Sequence, residues 1–275
     1  MNLGRDRSDG WQHAKLSGHK NEQLVCELLN TDPSTQIRLK NAAKVMNADF
    51  INCDCGGIHE TEITSALGGK TKSKTDIFAR FSNGETIGIS VKKSLSGQVY
   101  LIRDEAFIRG MEEQYRITIS PEVKRAIKLF WGSADDTIDI INNYNNCHDI
   151  KIYELHKERL TALTLKNYNE SLYDILLEWF KNNIYNITDF CFSRGLALSP
   201  DDKATIIWYK NMLGEHDIDN MYNINSLCNK TETHKSMISY GTKNGGTVIK
   251  LPFGFVQWHK GCMQFHHNYE SIVAL

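Results

Sequence analysis

The chain has 275 residues, 41% hydrophobic and 24% charged, with a formal net charge of −1. That is enough to build a sizeable core and excludes global disorder, while the near-neutral balance by itself says nothing for a polyanionic partner. No apolar run is long enough to span a bilayer and no signal peptide is visible, so a soluble cytoplasmic protein is expected.

Residues 12–30 read as a helix, with Leu24, Val25, Leu28 and Leu29 as its apolar stripe. Glu22 lies at the border of that stripe, and on spacing alone it reads as an exposed helix acid. Ala14 and Gly18 precede it at four-residue steps and leave a close-approach face. Residues 32–70 are mixed, with Gly56-Gly57 and Gly68-Gly69 marking loops. Cys53-Asp54-Cys55 with His59 suggests zinc, but no second ligand pair of matching spacing follows. The cysteines stand at 26, 53, 55, 147, 191, 228 and 262, an odd number without a disulfide-framework spacing. Free thiols in a reducing compartment are the better reading.

The segment KTKSKTDIFARFSNGETIGISVKKSLSGQVYLIR (70–103) is the most informative. It carries seven Lys or Arg against Asp76 and Glu85, a local net of +5, which fits a polyanionic substrate. Two strands are expected in it. Ile77, Ala79 and Phe81 share one face of the first, with Asp76, Phe78 and Arg80 on the other. Ile87, Ile89 and Val91 share one face of the second, with Thr86, Gly88, Ser90 and Lys92 on the other. A two-residue Asn83-Gly84 turn would set the apolar faces on opposite sides. A three-residue loop, Ser82-Asn83-Gly84, pairs Phe81 with Glu85, Ala79 with Ile87 and Ile77 with Ile89, and gives Gly84 the left-handed position. That register is preferred. It puts Asp76 opposite Ser90 and diagonal to Lys92, a possible metal ligand beside a cation. Lys93 points to the opposite face.

A third strand, 97–102, follows. Asp104 is placed to cap a helix over about 105–116, and Ser120-Pro121 opens another through Trp131. Residues 151–164, 169–183 and 202–213 look helical. The C-terminus turns β-like, with strands expected over 247–251, 253–259 and 262–266. The fold class is α/β: a central sheet flanked by helices, with an added C-terminal β region.

With these residues in view, the chain resembles type II restriction endonucleases of the PD-(D/E)xK fold, in particular the MspI-like branch that cuts short GC-rich sites. The likeness is carried by GHKNEQLVCELL (18–29), KSKTDIFARF with GISVKKS, VKRAIKLFWG (123–132), LLEWFKNNIYNITDFCFSRG (176–195) and GGTVIKLPFGFVQWHKGCMQF (245–265). The family's second acid falls on Ser90, which removes one hard ligand for Mg²⁺.

The resemblance implies a Mg²⁺-dependent endonuclease acting on double-stranded DNA. Asp76 and the backbone carbonyl of Val91 would bind metal, Ser90 would help directly or through water, Lys92 would orient water or stabilise charge, and Glu22 would complete the acidic set. It also implies a single endonuclease domain over 1–275, acting as monomer or homodimer. Its catalytic core would lie at about 10–135 and a recognition part at about 136–275, and a cognate methyltransferase would be a functional partner. Candidate DNA contacts are Lys72, Lys74, Lys93, Gln98 and Arg103 near the hairpin, and Lys243, Asn244, Lys250, Gln257, His259 and Lys260 in the C-terminal β region. A repair or recombination nuclease of the same core, or a catalytically silent DNA-binding protein, are the alternatives.

Overall fold

A computed structural model describes residues 7–56, 62–147, 156–214, 216–243 and 246–275, the side chains of 7–15 and 144–147 excepted. In chain order the elements are α1 (Arg7–Thr31), α2 (Pro33–Ala43), β1 (Phe50–Cys55), β2 (Glu62–Thr64), β3 (Lys70–Lys72), β4 (Ile77–Phe81) and β5 (Thr86–Lys92). Then come β6 (Ser96–Arg103), α3 (Asp104–Tyr115), α4 (Pro121–Trp131), α5 (Thr137–Cys147), α6 (Ala162–Tyr168), α7 (Glu170–Asn182) and α8 (Ile184–Asp189). The chain ends with β7 (Ile206–Lys210), β8 (Asp219–Asn223), α9 (Ile224–Thr233), β9 (Ser239–Lys243), β10 (Gly246–Leu251), β11 (Gly254–His259), β12 (Cys262–Asn268) and α10 (Tyr269–Val273). These elements form two compact units, Met1–Leu95 with Phe192–Leu227, and Ser96–Cys191 with Cys228–Leu275. The sequence reading put a core at about 10–135 and a recognition part at about 136–275. The division instead interleaves, because late strands complete the first sheet and β6 joins the C-terminal one.

The first unit is built on a mixed sheet of order β1-β4-β5-β7-β8, antiparallel except for the parallel β5–β7 pair. The expected hairpin register holds: Ile77 pairs with Ile89 and Ala79 with Ile87, while the Phe81 amide donates to the Glu85 carbonyl. Gly84 takes the left-handed conformation (φ 85°) that this loop requires. One face of the sheet therefore presents Ile77, Ala79, Phe81, Ile87, Ile89 and Val91 to Val25 and Leu29 of α1 and Leu39 of α2. Asp32 starts α2 by accepting from the Ser34 and Thr35 amides, with Pro33 at the first helical position.

The helix expected over 202–213 is instead the strand β7. Ile206, Ile207, Trp208 and Tyr209 are all fully buried, so the strand is covered on both faces and its apolar run is continuous rather than alternating. Such a run carries no periodicity to separate it from a buried helix. A parallel neighbour also needs a long crossover, and here that crossover spans more than a hundred residues of sequence between β5 and β7.

The second unit holds an antiparallel sheet of order β6-β12-β11-β10-β9. The strand expected over 97–102 exists as β6, but it pairs with β12 rather than extending the hairpin's sheet. One face is covered by aromatic packing, with Phe107 against Phe265, Trp179 and Phe190, and Phe130 against Tyr240. Ser120 caps α4 as expected. Asp104 does not cap α3: Arg103 holds that position without a side-chain bond, and Asp104 is the first helical residue. Of the helix expected over 151–164, residues 151–155 lie outside the described set and helix begins only at Ala162. The capping pair Thr161 and Thr164 fixes that start. The expected C-terminal strands appear as β10, β11 and β12, and β9 extends them.

Gly88 sits where β5 passes the 203–204 backbone, and an added Cβ would collide with the Lys203 carbonyl and come 2.6 Å from Thr75 Oγ1. Gly88→Ala is expected to destabilise the protein by about 1–3 kcal/mol, as overpacking does. Urea titration followed by tryptophan fluorescence would check this, and an unchanged midpoint would show that the backbone yields there at no cost.

Candidate active site

The hairpin brings its polar residues together just beyond the start of β4. The Asp76 amide extends the ladder by donating to the Ile89 carbonyl (2.9 Å). The Asp76 carboxylate then turns toward β5, where Oδ2 accepts from the Val91 amide (2.7 Å) and from Ser90 Oγ (3.3 Å). Lys92 Nζ donates to the same Ser90 hydroxyl at 2.6 Å. Lys92, Ser90 and Asp76 thus form one hydrogen-bonded chain along a single face, as alternation in the preferred register requires.

Glu22 is delivered to this cluster by its neighbour. Asn21 is buried and uses both ends of its amide: Nδ2 donates to the Lys210 carbonyl (2.9 Å) and Oδ1 accepts from the Met212 amide (2.7 Å). These bonds fasten α1 to the end of β7, the strand beside β5. Sequence spacing favours an exposed acid at 22, but Glu22 keeps only 17% of its side-chain surface. It lies within the electrostatic reach of Asp76 and Lys92.

Burial raises the Glu22 carboxyl above its ordinary pKa and the Asp76 charge adds to the rise, against the opposing pull of His19 and Lys92. Burial also raises the Asp76 carboxyl, opposed by Lys92, the Val91 amide, Ser90 and Lys74. Two carboxylates that are each costly to ionise, beside a hydroxyl, form a hard-oxygen set that a divalent cation would relieve. Among the described residues, no three His, Cys, Asp or Glu gather as a metal group. The oxygens gathered here are those of two carboxylates and the Ser90 hydroxyl.

The remaining candidates separate clearly. Lys93 Nζ donates to Ser17 Oγ of α1 (3.1 Å), away from the Asp76 chain, while its carbonyl accepts from Asn211 and His216. Lys74 adds its charge to the field at Asp76, and Lys72 is exposed on β3. Cys53 and Cys55 share a face of β1, and Cys53 Sγ lies 3.1 Å from Cys26 Sγ, a thiol pair between α1 and β1. His59 lies outside the described residues.

In the second unit, cross-strand pairing places Gln98, Arg103, Lys243, Lys250, Gln257 and His259 on the face opposite the aromatic core. Lys260 is not on it but in the left-handed turn to β12, and Asn244 lies outside the described residues. None of the five strands contains an Asp or Glu. Two polar members of this face, Gln264 and His266, were missed by sequence reasoning. Gln264 links Gln257 to Gln98 through amide hydrogen bonds of 2.8 and 2.7 Å, and His266 stacks on Phe255 at 4.6 Å with its pKa lowered by burial and by His259 and Lys243. The alternation Met263-Gln264-Phe265-His266 was the available signal.

No family model matches the chain, and no curated protein matches it in sequence. Among solved structures, it is similar to a chain from a crystal structure of restriction endonuclease MspI in complex with its cognate DNA. The identity is 13% and the TM-score 0.46, over 93% of this chain and 87% of that one. No helix among the described residues is long and apolar enough to cross a membrane.

The raised carboxyls have a consequence for stability. An acid whose folded pKa exceeds its unfolded value opposes folding above that folded pKa, and the opposition fades as pH falls to the unfolded value. At neutral pH, without divalent cations, Asp76→Asn should therefore melt higher than wild type, by roughly 2–4 °C per kcal/mol relieved. The advantage should shrink on acidification through the carboxylate range. A calorimetric scan that found the variant less stable at pH 7 would show that the hydrogen bonds to Asp76 outweigh its burial.

Proposed function

We propose that this chain is a Mg²⁺-dependent endonuclease that hydrolyses phosphodiester bonds of double-stranded DNA. The observation that carries the reading is the Lys92–Ser90–Asp76 chain with Glu22 beside it. It supplies two buried acids for a divalent cation and one ammonium for the phosphate. The resemblance in sequence adds the finer terms: type II restriction at a short GC-rich site, with a separate methyltransferase protecting the same sequence.

Asp76, Glu22, Ser90 Oγ and the Val91 carbonyl are the oxygens that would hold the metal. In an extended strand the N–H and C=O of one residue point to the same side. Val91, whose amide reaches Asp76, accordingly turns its carbonyl that way too. Bound Mg²⁺ would supply a Lewis acid that polarises the phosphoryl group. Lys92 spends one N–H on Ser90 and keeps two more donors for a phosphate oxygen or the attacking water. Its charge offsets the negative charge that builds as water attacks phosphorus and the 3′ oxygen leaves. Ser90, whose proton goes to Asp76, is the link that holds the ammonium next to the acids.

DNA binding is assigned to the acid-free face of the second sheet. Arg103, Lys243, Lys250 and His259 suit phosphate contact, and the linked amides of Gln98, Gln264 and Gln257 suit base edges. A serine where the family carries its second acid favours one other reading, a DNA-binding protein without cleavage. Incubating purified protein with duplex DNA and Mg²⁺ separates the two: discrete fragments support restriction, and a gel shift without cleavage supports the silent binder.

Asp76→Ala should abolish cleavage while leaving DNA affinity within about threefold, since the residue contacts no phosphate. Cleavage persisting at the wild-type rate would remove the hairpin from the chemistry. Lys92→Ala should lower the rate ~10²–10³-fold, as loss of a positioned charge stabiliser does. Lys93→Ala, its ammonium committed to Ser17, should cost far less, and the reverse order in single-turnover rates would reject the assignment.

On the second sheet, Lys250→Ala should weaken binding uniformly across DNA sequences and reduce the salt dependence of log K by about 1. An unchanged slope would mean that this face does not meet phosphate.

A further inference from the structure

His19 was assigned no role above beyond its pull on Glu22, yet it is 7% exposed and sits one helical turn before that residue. Its Nδ1 lies 3.1 Å from Glu22 Oε2, and this is the hydrogen bond the ring makes among the described residues. The other ring nitrogen, Nε2, is buried without a partner among the described residues. Burying an unpaired polar nitrogen works against folding. A histidine kept only for packing would be bettered by an apolar side chain of similar size, so the contact with Glu22 is what distinguishes this residue.

Glu22 needs such a contact. A glutamate has three rotatable side-chain bonds, and Gly18, one turn earlier, leaves space beside it: a Cβ there would be 4.0 Å from Glu22 Oε1. Repulsion from Asp76 pushes the carboxylate away from the place where a shared cation would sit. A donor on Oε2 opposes that swing and leaves Oε1 available. Ligating carboxylates are commonly fixed in this way by a second hydrogen bond, whose loss weakens metal binding or activity 10–100-fold.

We propose that His19 is a positioning residue: by donating Nδ1–H to Glu22 Oε2 it holds that carboxylate toward Asp76 for a divalent cation. The inference rests on the metal-site reading above and names a residue that reading leaves out. Its test measures Mn²⁺ binding to the whole protein by calorimetry, alongside the Mg²⁺ dependence of cleavage. His19→Leu should weaken Mn²⁺ binding 10–100-fold and shift half-maximal cleavage to correspondingly higher Mg²⁺, with much of the rate recovered at saturation. His19→Asn, whose side-chain amide can donate from nearly the place of Nδ1, should restore most of the affinity. In a Glu22→Gln background, His19→Leu should add little, because the two residues act as one unit.

Wild-type Mn²⁺ affinity in His19→Leu would overturn the proposal. So would equal loss in the Leu and Asn variants, or full additivity with Glu22→Gln, each of which marks a packing role. Should His19→Leu fail to fold, the Asn variant and its Glu22→Gln double mutant decide the matter. Cation binding by a wild-type protein that cuts no DNA would reject the nuclease and leave His19 in place. A wild-type protein that bound no divalent cation would reject both.

Discussion

The parallel pairing of β5 with β7 is the constraint on which the first unit depends. It places Ser90 beside Ile207 and Lys92 beside Tyr209, and makes β5, buried from Ile87 to Val91, an interior strand of the sheet. The end of β7 also supplies the carbonyl and, two residues on, the amide that Asn21 grips. One strand pair therefore fixes both the lysine at the cluster and the helix that carries Glu22. Asp219 steadies the same region, accepting from Arg38, Trp208 Nε1 and Lys210. Those bonds hold its carboxyl well below the usual range despite partial burial.

Against that rigid frame, the cluster itself is the least comfortable part of the unit. Asp219 shows what a partly buried acid looks like when it is compensated: three donors and a lowered pKa. Asp76 and Glu22 have partners too, yet burial still leaves both raised, and at Glu22 the Asp76 charge adds to the rise. This difference in electrostatic outcome fits the proposed metal site, where a bound cation would relieve both raised acids. It also argues against reading the Lys92–Ser90–Asp76 chain as ordinary support for the hairpin. The turn, the ladder and the apolar face already secure the hairpin without it.

The second sheet shows the same economy in another form. Its aromatic face is closed by α3, α4 and α7, so the opposite face is not needed for the core and is not apolar. Lysine, arginine, histidine and glutamine hold it, without any acid in the strands. Val248, Leu101 and Phe255 also lie on this face, and Phe255 is covered by the His266 ring stacked at 4.6 Å and by the Lys243 ammonium at 5.9 Å.

The sequence by itself determined the local geometry. Of the two loops weighed, alternation in 77–81 and 86–92 keeps both apolar sets on one side only with the three-residue one, which also suits Gly84, so the hairpin register and the grouping of Asp76, Ser90 and Lys92 followed from periodicity and turn chemistry. Capping and turn chemistry likewise marked α4, and alternating polarity marked the C-terminal strands. Only the tertiary structure decided what long-range pairing controls. The run TIIWY is compatible with helix or strand until β5 and β8 supply its ladder partners, and β6 has no marker for the sheet it joins. Glu22 looked like a surface acid because helical spacing reports the core face of its own helix and not what lies beyond the ends of the strands. Asn21 and His19 were silent for the same reason: the worth of a buried amide or imidazole lies in partners that sequence distance does not reveal.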